Sequence, residues 1–227
     1  MTEFVRNKSL YIGFTGQHGS GKTVLSRHLN SLGLEALSPD TSRHFSGEQL
    51  VTGRQLLAWQ AHAHEAGHFH TLLGAMMHYH EQERSAGRGA EIIERLNKFE
   101  RSVVFVDSLR DERDIIEFRK LANACGTLII GVEAPLDICK GQFMNQSNDD
   151  KHVSKPGVPE REVEWGVALW EYDRIERALE LADVRISYQS TGEASRQKLY
   201  LDGEQAVGQF ITEQCALLDL VLAEQPI

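Results

Sequence analysis

Residues 10–29, LYIGFTGQHGSGKTVLSRHL, decide the fold of this chain. The stretch begins with an apolar, partly β-branched run, passes through a glycine-rich turn and continues with the pattern of a helix. The turn is Gly16-Gln17-His18-Gly19-Ser20-Gly21-Lys22-Thr23, and it fits G-x-x-x-x-G-K-[ST] at every fixed position. A strand, a glycine-rich loop and a helix in this order predict a phosphate-binding P-loop.

The chemistry of each fixed position supports this interpretation. Gly16, Gly19 and Gly21 have no Cβ, so the backbone can take positive φ and turn its N–H groups towards an anion. Lys22 would reach the β- and γ-phosphates, and the Thr23 hydroxyl would be a ligand of Mg²⁺. We therefore predict ATP and Mg²⁺ as the bound species, with the nucleotide held by Gly16, Gln17, His18, Gly19, Ser20, Gly21, Lys22, Thr23 and Val24.

Length and composition limit the class of protein. The 227 residues carry a net charge of −9, which gives no electrostatic reason to expect nucleic acid or an anionic membrane as a partner. The three cysteines form no C-x-x-C pair, as is typical of reduced thiols in the cytoplasm. No signal peptide and no run of apolar residues long enough to span a membrane is evident. We expect one cytoplasmic domain over residues 1–227.

A second strand is predicted over residues 34–38, LEALS, after the helix stop at Gly33. Asp40 and Arg43 would then follow the carboxyl end of that strand, where open α/β sheets bind ligands. Asp40 has an alternative role as the N-cap of the next helix, and the sequence does not decide between the two.

Residues 47–100 have a largely helical pattern with no strand candidate, and we interpret them as an acceptor-binding insertion. Glycines divide the segment into two or three helices. It holds six of the ten histidines, but on a continuous helix these lie too far apart along the axis to share one metal. The histidines are therefore interpreted as helix-surface side chains.

Residues 102–107, SVVFVD, predict a central strand that is buried on both faces. Asp107 ends this strand and is placed to hold Mg²⁺ through water, while Arg110 could meet a phosphate. The alternative is that Asp107 caps the helix that follows.

The remaining elements follow in the order expected of such a fold. Residues 127–132 predict a fourth strand, residues 145–160 a polar lid loop, residues 160–182 a long helix, residues 183–188 a fifth strand and residues 204–223 a closing helix. The loop at residues 189–193 is predicted to lie near a base or ribose.

The order of these blocks resembles the dephospho-CoA kinase-like branch of the nucleoside monophosphate kinase folds. It is most similar to a small family of archaeal nucleotide kinase-like proteins, whose third strand ends in a D-G-I-R-type motif. That motif is Asp107-Ser108-Leu109-Arg110 here, with Glu117-Phe118-Arg119 downstream. The similarity covers roughly residues 9–190, and only its P-loop is highly specific.

The resemblance implies an α/β, three-layer P-loop NTPase fold with a five-stranded parallel sheet in the order 2-3-1-4-5. It also implies phosphoryl transfer from ATP to a nucleotide-like acceptor, a (deoxy)nucleoside monophosphate above all. Lys22, Asp40 and Arg110 would be the catalytic residues, and Asp40, Arg43 and Arg110 would bind the acceptor. The metal ligands would be Thr23 and Asp107.

The lid departs from the family pattern. Related kinases supply lid arginines, whereas residues 145–160 contain none, so Arg161, Arg174 or Lys151 would have to support the developing charge. A regulatory nucleotide-binding module or slow NTPase that acts on a protein partner is therefore the alternative function. We expect a small-molecule nucleotide acceptor, no nucleic acid and no membrane, and we allow for a homodimer.

Overall fold

The computed structural model describes residues 7–39, 41–53, 55–56, 88–107, 109–145, 159–170 and 172–223. The strands are β1 (Ser9–Thr15), β2 (Gly47–Val51), β3 (Ser102–Val106), β4 (Ala124–Glu133) and β5 (Val184–Ser187). The helices are α1 (Lys22–Leu32), α2 (Leu34–Leu37), α3 (Thr41–His44), α4 (Arg88–Leu96), α5 (Glu112–Phe118), α6 (Leu136–Asn145), α7 (Pro159–Trp170), α8 (Tyr172–Glu180) and α9 (Glu193–Ala223).

The strands form one parallel sheet in the order β2-β3-β1-β4-β5. The central strand β1 pairs with β3 on one side and with β4 on the other. Because all pairs are parallel, the carboxyl ends of the strands share one edge of the sheet, and ligands of open α/β sheets bind at that edge. The predicted three-layer P-loop fold and its strand order are confirmed.

Helices cover both faces of the sheet, and β1 shows why. Its alternate residues Leu10, Ile12 and Phe14 point to one side, where they pack in a core with α1 and α9. Tyr11 points to the other side, into a core built with α4, α5 and α8. Every residue of β1 is buried, as expected of a parallel strand covered on both faces.

The second strand is not where the sequence predicts it. Residues 34–37 form the short helix α2, with Leu34 and Leu37 buried three positions apart on its inner side. The strand instead lies at Gly47–Val51, inside the segment predicted to be largely helical and to contain no strand. Among the described strands, β2 lies at the edge of the sheet and pairs with β3 alone. An edge strand is partly exposed to solvent, so the largely polar sequence GEQLV can form it.

Other boundaries also differ from the prediction. Within the predicted helix at 160–182 the structure describes α7 and α8, and residue 171 between them lies outside the described residues. The closing helix begins at Glu193 rather than at residue 204. Most of the predicted acceptor-binding insertion, including the six histidines at residues 62–80, lies outside the described residues. So does most of the predicted lid, of which Asn145 ends α6 and residues 159–160 begin α7.

Within the described ranges, α9 is the one helix long and apolar enough to cross a membrane by length and composition. Its inner side packs against the sheet through Leu199, Val207, Phe210, Ile211 and Cys215. One side of α9 is therefore part of the core, while Leu217, Leu220 and Val221 near its end are exposed and only 17% of its most apolar stretch is buried.

Asp111 is the N-cap of α5, and its side chain accepts a hydrogen bond from the backbone N–H of Asp114 at 2.9 Å. The alternative in which Asp107 caps this helix is therefore wrong. Burial, with the Asp111 carboxylate beside it, raises the pKa of Asp114 from 3.8 to about 6. Asp114 in turn accepts a hydrogen bond from the backbone N–H of Arg110 at 2.8 Å.

Asp114→Asn should stabilise the protein at pH 8 but not at pH 4. A carboxyl whose pKa is higher in the folded state than in the unfolded state binds its proton more readily when folded, so its contribution to stability falls as pH rises from about 4 to 6. The asparagine oxygen can still accept from Arg110 and carries no charge. We expect a gain on the order of 1–2 kcal/mol in the free energy of unfolding at pH 8.

Urea unfolding of Asp114→Asn and of the unchanged protein at pH 4, 6 and 8 measures this gain. The quantity to follow is the difference between the two proteins, which cancels the pH dependence of all other groups. A difference that is the same at pH 4 and pH 8 would contradict the raised pKa of Asp114.

Candidate functional site

The P-loop follows β1 directly at the carboxyl edge of the sheet. Gly16, Gly19 and Gly21 have φ of 145°, 76° and 87°, so the loop uses the conformations that favour glycine. A Cβ on Gly19 would lie 2.1 Å from the carbonyl oxygen of Cys139 in α6. The loop is therefore packed closely between the sheet and α6.

Polar groups line the inside of this loop. The Lys22 side chain is 9% exposed, and its Nζ donates to the carbonyl oxygen of Gln17 at 3.2 Å, across the loop. Within the described residues, the hydroxyl oxygens of Thr15, at the end of β1, and of Ser20 are buried and make no hydrogen bond. Buried hydroxyls without partners are costly, so a loop that contains them together with a buried ammonium fits a polyphosphate.

The predicted metal ligands lie side by side. The Thr23 hydroxyl donates to the Asp107 carboxylate at 2.9 Å, although the two residues are 84 positions apart in sequence. Asp107 is 3% exposed and lies where β3 ends, beside the first turn of α1. A hydroxyl and a carboxylate are oxygen ligands of the kind that Mg²⁺ prefers, and their position beside the P-loop fits a metal that bridges phosphate oxygens.

Arg110 lies on the same carboxyl edge. The backbone of its loop is fixed at two points, since the N–H of Leu109 donates to the carbonyl of Phe14 at 2.8 Å and the N–H of Arg110 donates to Asp114. The half-buried Arg110 is thus anchored three residues beyond Asp107, next to the end of the P-loop strand.

A cleft of about 470 Å³ opens from the P-loop. One wall consists of the P-loop and α1, and the other comes from α6, the loop after β5 and the start of α9. The lining residues are Gly19, Gly21, Lys22, Thr23, Val24, Gln142, Asn145, Tyr188, Ser190, Thr191, Gly192, Ser195, Arg196 and Leu199. The predicted base or ribose loop at residues 189–193 is part of this wall.

Tyr188 joins the far wall to the P-loop. Its hydroxyl donates to the Ser20 carbonyl at 3.0 Å and accepts from the Gln142 amide at 3.0 Å. Burial raises the pKa of Tyr188, which keeps the phenol protonated as a donor. Tyr188, Gln142 and Arg196 were not predicted as site residues from the sequence. They belong to no motif, and only the fold brings them beside the P-loop.

The side chain of Gln17 contacts α8, and that of His18 contacts α6. Gln17 Nε2 donates to the carbonyl of Tyr172 and to Glu176, each at 3.3 Å, at the start of α8. The His18 ring meets the Phe143 ring of α6 edge to face, with 6.2 Å between centroids. We therefore expect these two residues to contact a nucleotide through their backbone.

Arg43 is not at this edge. It lies in α3, before β2 rather than after it, and the next residue, His44, is 3.0 Å from Asp219 near the end of α9. Arg196, at the other end of α9, lines the cleft. Because an α-helix rises 1.5 Å per residue, Asp219 lies roughly 35 Å along α9 from Arg196, so Arg43 is far from the end of the cleft that Arg196 lines. Asp40 lies outside the described residues.

Comparison with known proteins gives only distant relatives. No protein-family model matches the chain, and no curated protein matches it. The shikimate kinase of Acinetobacter baumannii in complex with shikimate is similar, with 16% identity, a TM-score of 0.46 and coverage of 93% of this chain and 97% of that one. The APS kinase of Mycobacterium tuberculosis in complex with AMPPNP and APS has 12% identity, a TM-score of 0.43 and coverage of 88% and 99%.

With TM-scores of 0.46 and 0.43, this similarity on its own assigns no function to the chain. The P-loop kinase-like fold rests on the strand order and on the loop geometry of this chain.

Asp107→Asn should weaken the response to Mg²⁺ and leave metal-free nucleotide binding unchanged. The asparagine oxygen can still accept from Thr23, but it removes the negative charge that a divalent cation requires. We expect the Mg²⁺ concentration for half-maximal nucleotide binding to rise about 10- to 100-fold. Titration of MgCl₂ against a fluorescent ATP analogue measures this shift, and the same analogue in EDTA is the control. An unshifted Mg²⁺ midpoint would remove Asp107 from the metal site.

Proposed function

We propose that this protein transfers a phosphoryl group from ATP to a nucleotide-like small molecule. The observation that carries the proposal is the contact between the Thr23 hydroxyl and the Asp107 carboxylate. It joins the P-loop to the end of β3, so the groups that would hold phosphate and metal lie beside the loop that bears Arg110. Any P-loop protein that hydrolyses or transfers the γ-phosphoryl group would use such a hydroxyl–carboxylate pair, and the nearby Arg110 is what favours a small-molecule acceptor over water.

The donor side of the site has a division of roles. Lys22 lies inside the P-loop and would exchange its bond to the Gln17 carbonyl for oxygens of the β- and γ-phosphates. Thr23 and Asp107 would hold Mg²⁺, which when bound neutralises charge on those phosphates. The base and ribose would occupy the cleft between α1 and the loop after β5, near Tyr188 and Arg196.

The acceptor side is assigned to Arg110, which would bind an anionic group of the acceptor through its planar guanidinium. We propose a (deoxy)nucleoside monophosphate as the acceptor, in line with the resemblance to the archaeal nucleotide kinase-like proteins. Asp40 and Arg43 are left out of this site, because both were expected there only from a second strand at residues 34–38, and residues 34–37 form α2 instead.

The acidic net charge of −9 supports a small-molecule acceptor rather than nucleic acid.

Phosphorus-31 NMR of the purified protein with ATP and Mg²⁺ tests the proposal. The panel of acceptors contains nucleoside monophosphates, deoxynucleoside monophosphates and dephospho-CoA, and a sample without acceptor is the control. We expect a new phosphorylated product that depends on one class of acceptor. ADP and free phosphate at the same rate with and without acceptor would favour the regulatory NTPase.

A further inference from the structure

Arg161 is a charged side chain that is fully buried, with 0% of its surface exposed. It lies in the first turn of α7, and its Nε and Nη2 both donate to the carbonyl oxygen of Phe143, at 3.0 and 2.6 Å. Phe143 lies in the last turn of α6. Arg161 therefore joins the two points at which the chain leaves for residues 146–158 and returns from them.

Burying a guanidinium is expensive, and burial lowers the pKa of Arg161. The cost is offset by the geometry at the end of α6. The last carbonyls of a helix have no partner inside the helix and carry the negative end of its dipole, so a cation that donates to them is stabilising. The guanidinium also lies 5.1 Å from the centroid of the Phe143 ring.

Phe143 and its neighbours form a small apolar cluster of their own. Cys139, Phe143, Trp165 and Ala168 are buried together between α6 and α7, apart from the two cores that cover the sheet. The rings of Phe143 and Trp165 have 5.4 Å between centroids. Helices α6 and α7 are therefore packed as one unit, and Arg161 contacts it through Phe143.

This unit touches the P-loop at two consecutive residues. The edge-to-face contact of His18 with the Phe143 ring is the first, and the close approach of Gly19 to the Cys139 carbonyl is the second. A shift of the last turn of α6 would therefore be transmitted to the part of the P-loop whose backbone surrounds phosphate.

We propose that Arg161 is a positioning residue that holds α6 and α7 together and, through Phe143 and His18, sets the conformation of the P-loop. The proposal rests on the proposed nucleotide-binding function. It differs from the role expected from the sequence, in which Arg161 supports the negative charge that develops during phosphoryl transfer. In this role Arg161 acts through Phe143 and does not need to touch the transferred phosphoryl group.

The test compares Arg161→Gln and Arg161→Lys with the matched control Lys140→Met. Lys140 and Glu162 also join α6 to α7, at 3.0 Å, but both side chains are about half exposed, so the control removes a contact between the same two helices at the surface. Arg161→Lys keeps the charge and can donate to the Phe143 carbonyl, although without the planar fork.

Two measurements on the folded protein decide the outcome. The first is the imidazole resonance of His18 in ¹H–¹³C NMR, assigned by its loss in His18→Asn. The second is the Kd of a fluorescent ATP analogue with Mg²⁺. For Arg161→Gln we expect the His18 resonance to move and the Kd to rise about tenfold, the size of one charged hydrogen bond. Arg161→Lys should fall between Arg161→Gln and the unchanged protein, and Lys140→Met should match the unchanged protein.

A merely structural role for Arg161 would lower the midpoint of urea unfolding and leave both the His18 resonance and the Kd of the folded protein unchanged, which would overturn the proposal. If Arg161→Gln does not fold, Arg161→Lys decides by the same two measurements. If the unchanged protein does not bind the ATP analogue, the proposed function fails, while the His18 resonance still tests whether Arg161 positions the P-loop.

Discussion

Lys22→Met should slow phosphoryl transfer by about 10²–10³ while the protein remains folded. Lys22 is the P-loop cation, its ammonium lies inside the loop, and its side chain is almost fully buried. Methionine has nearly the same length and an unbranched stem, so the P-loop can keep its packing without the charge. Transfer depends on positioned positive charge, and loss of one such group typically costs about 10²–10³ in rate.

Single-turnover ³¹P NMR with saturating ATP, Mg²⁺ and the active acceptor measures this loss. Lys120→Met is the matched control, because it removes the same charge from the surface pair with Glu117 and should leave the rate unchanged. Urea unfolding of both variants shows whether a loss of rate is a loss of fold. Transfer within a few-fold of the unchanged protein in Lys22→Met would contradict the proposed function at its centre.

The parts of the site that the sequence predicts are those in which one local pattern fixes the chemistry. The P-loop motif requires glycines at positive φ and a helix that begins at its lysine, and the structure has both. The apolar run that ends at Asp107 requires a buried strand with its carboxyl end at the sheet edge. Because parallel strands bring those ends together, the contact between Thr23 and Asp107 was predictable in kind.

The sequence fails where pairing or packing decides. GEQLV forms β2 because β3 offers a free edge, not because its own residues favour a strand, and LEAL forms a helix because two leucines three positions apart reach the core. Arg43 was expected at the site only because a second strand was predicted at residues 34–38. The error in that strand therefore also misplaced Arg43. From the sequence alone, Arg161 is expected to be a solvent-exposed charge on a helix. It is buried because α6 and α7 pack against each other.

Gly19→Ala should reduce both stability and nucleotide binding. Alanine at φ 76° costs about 1–2 kcal/mol from backbone strain alone. Its Cβ would also lie 2.1 Å from the oxygen and 2.9 Å from the carbon of the Cys139 carbonyl, in the backbone of α6. Because backbone atoms of a helix cannot turn aside as a side chain can, the P-loop has to move, and we expect a total loss on the order of 3 kcal/mol.

Two further glycines separate the causes of that loss. Gly33 has φ 81° and ψ 155°, with no atom of the described residues within 4 Å of its added Cβ, so Gly33→Ala measures the strain of a glycine-only backbone conformation without a steric clash. Gly141 lies in α6, also with open space around its added Cβ, and Gly141→Ala should stabilise the helix by about 0.5–1 kcal/mol. The measurements are urea unfolding and the Kd of the fluorescent ATP analogue for all three variants.

Only Gly19→Ala should raise the Kd, by about 100-fold if the displaced P-loop loses two of its phosphate hydrogen bonds. Unchanged nucleotide binding in Gly19→Ala, with a loss of stability no larger than the strain of alanine at φ 76°, would mean that the P-loop does not press against α6. The path from Arg161 through Phe143 to His18 would then lose its second point of support, since it depends on the same close packing of the P-loop on α6.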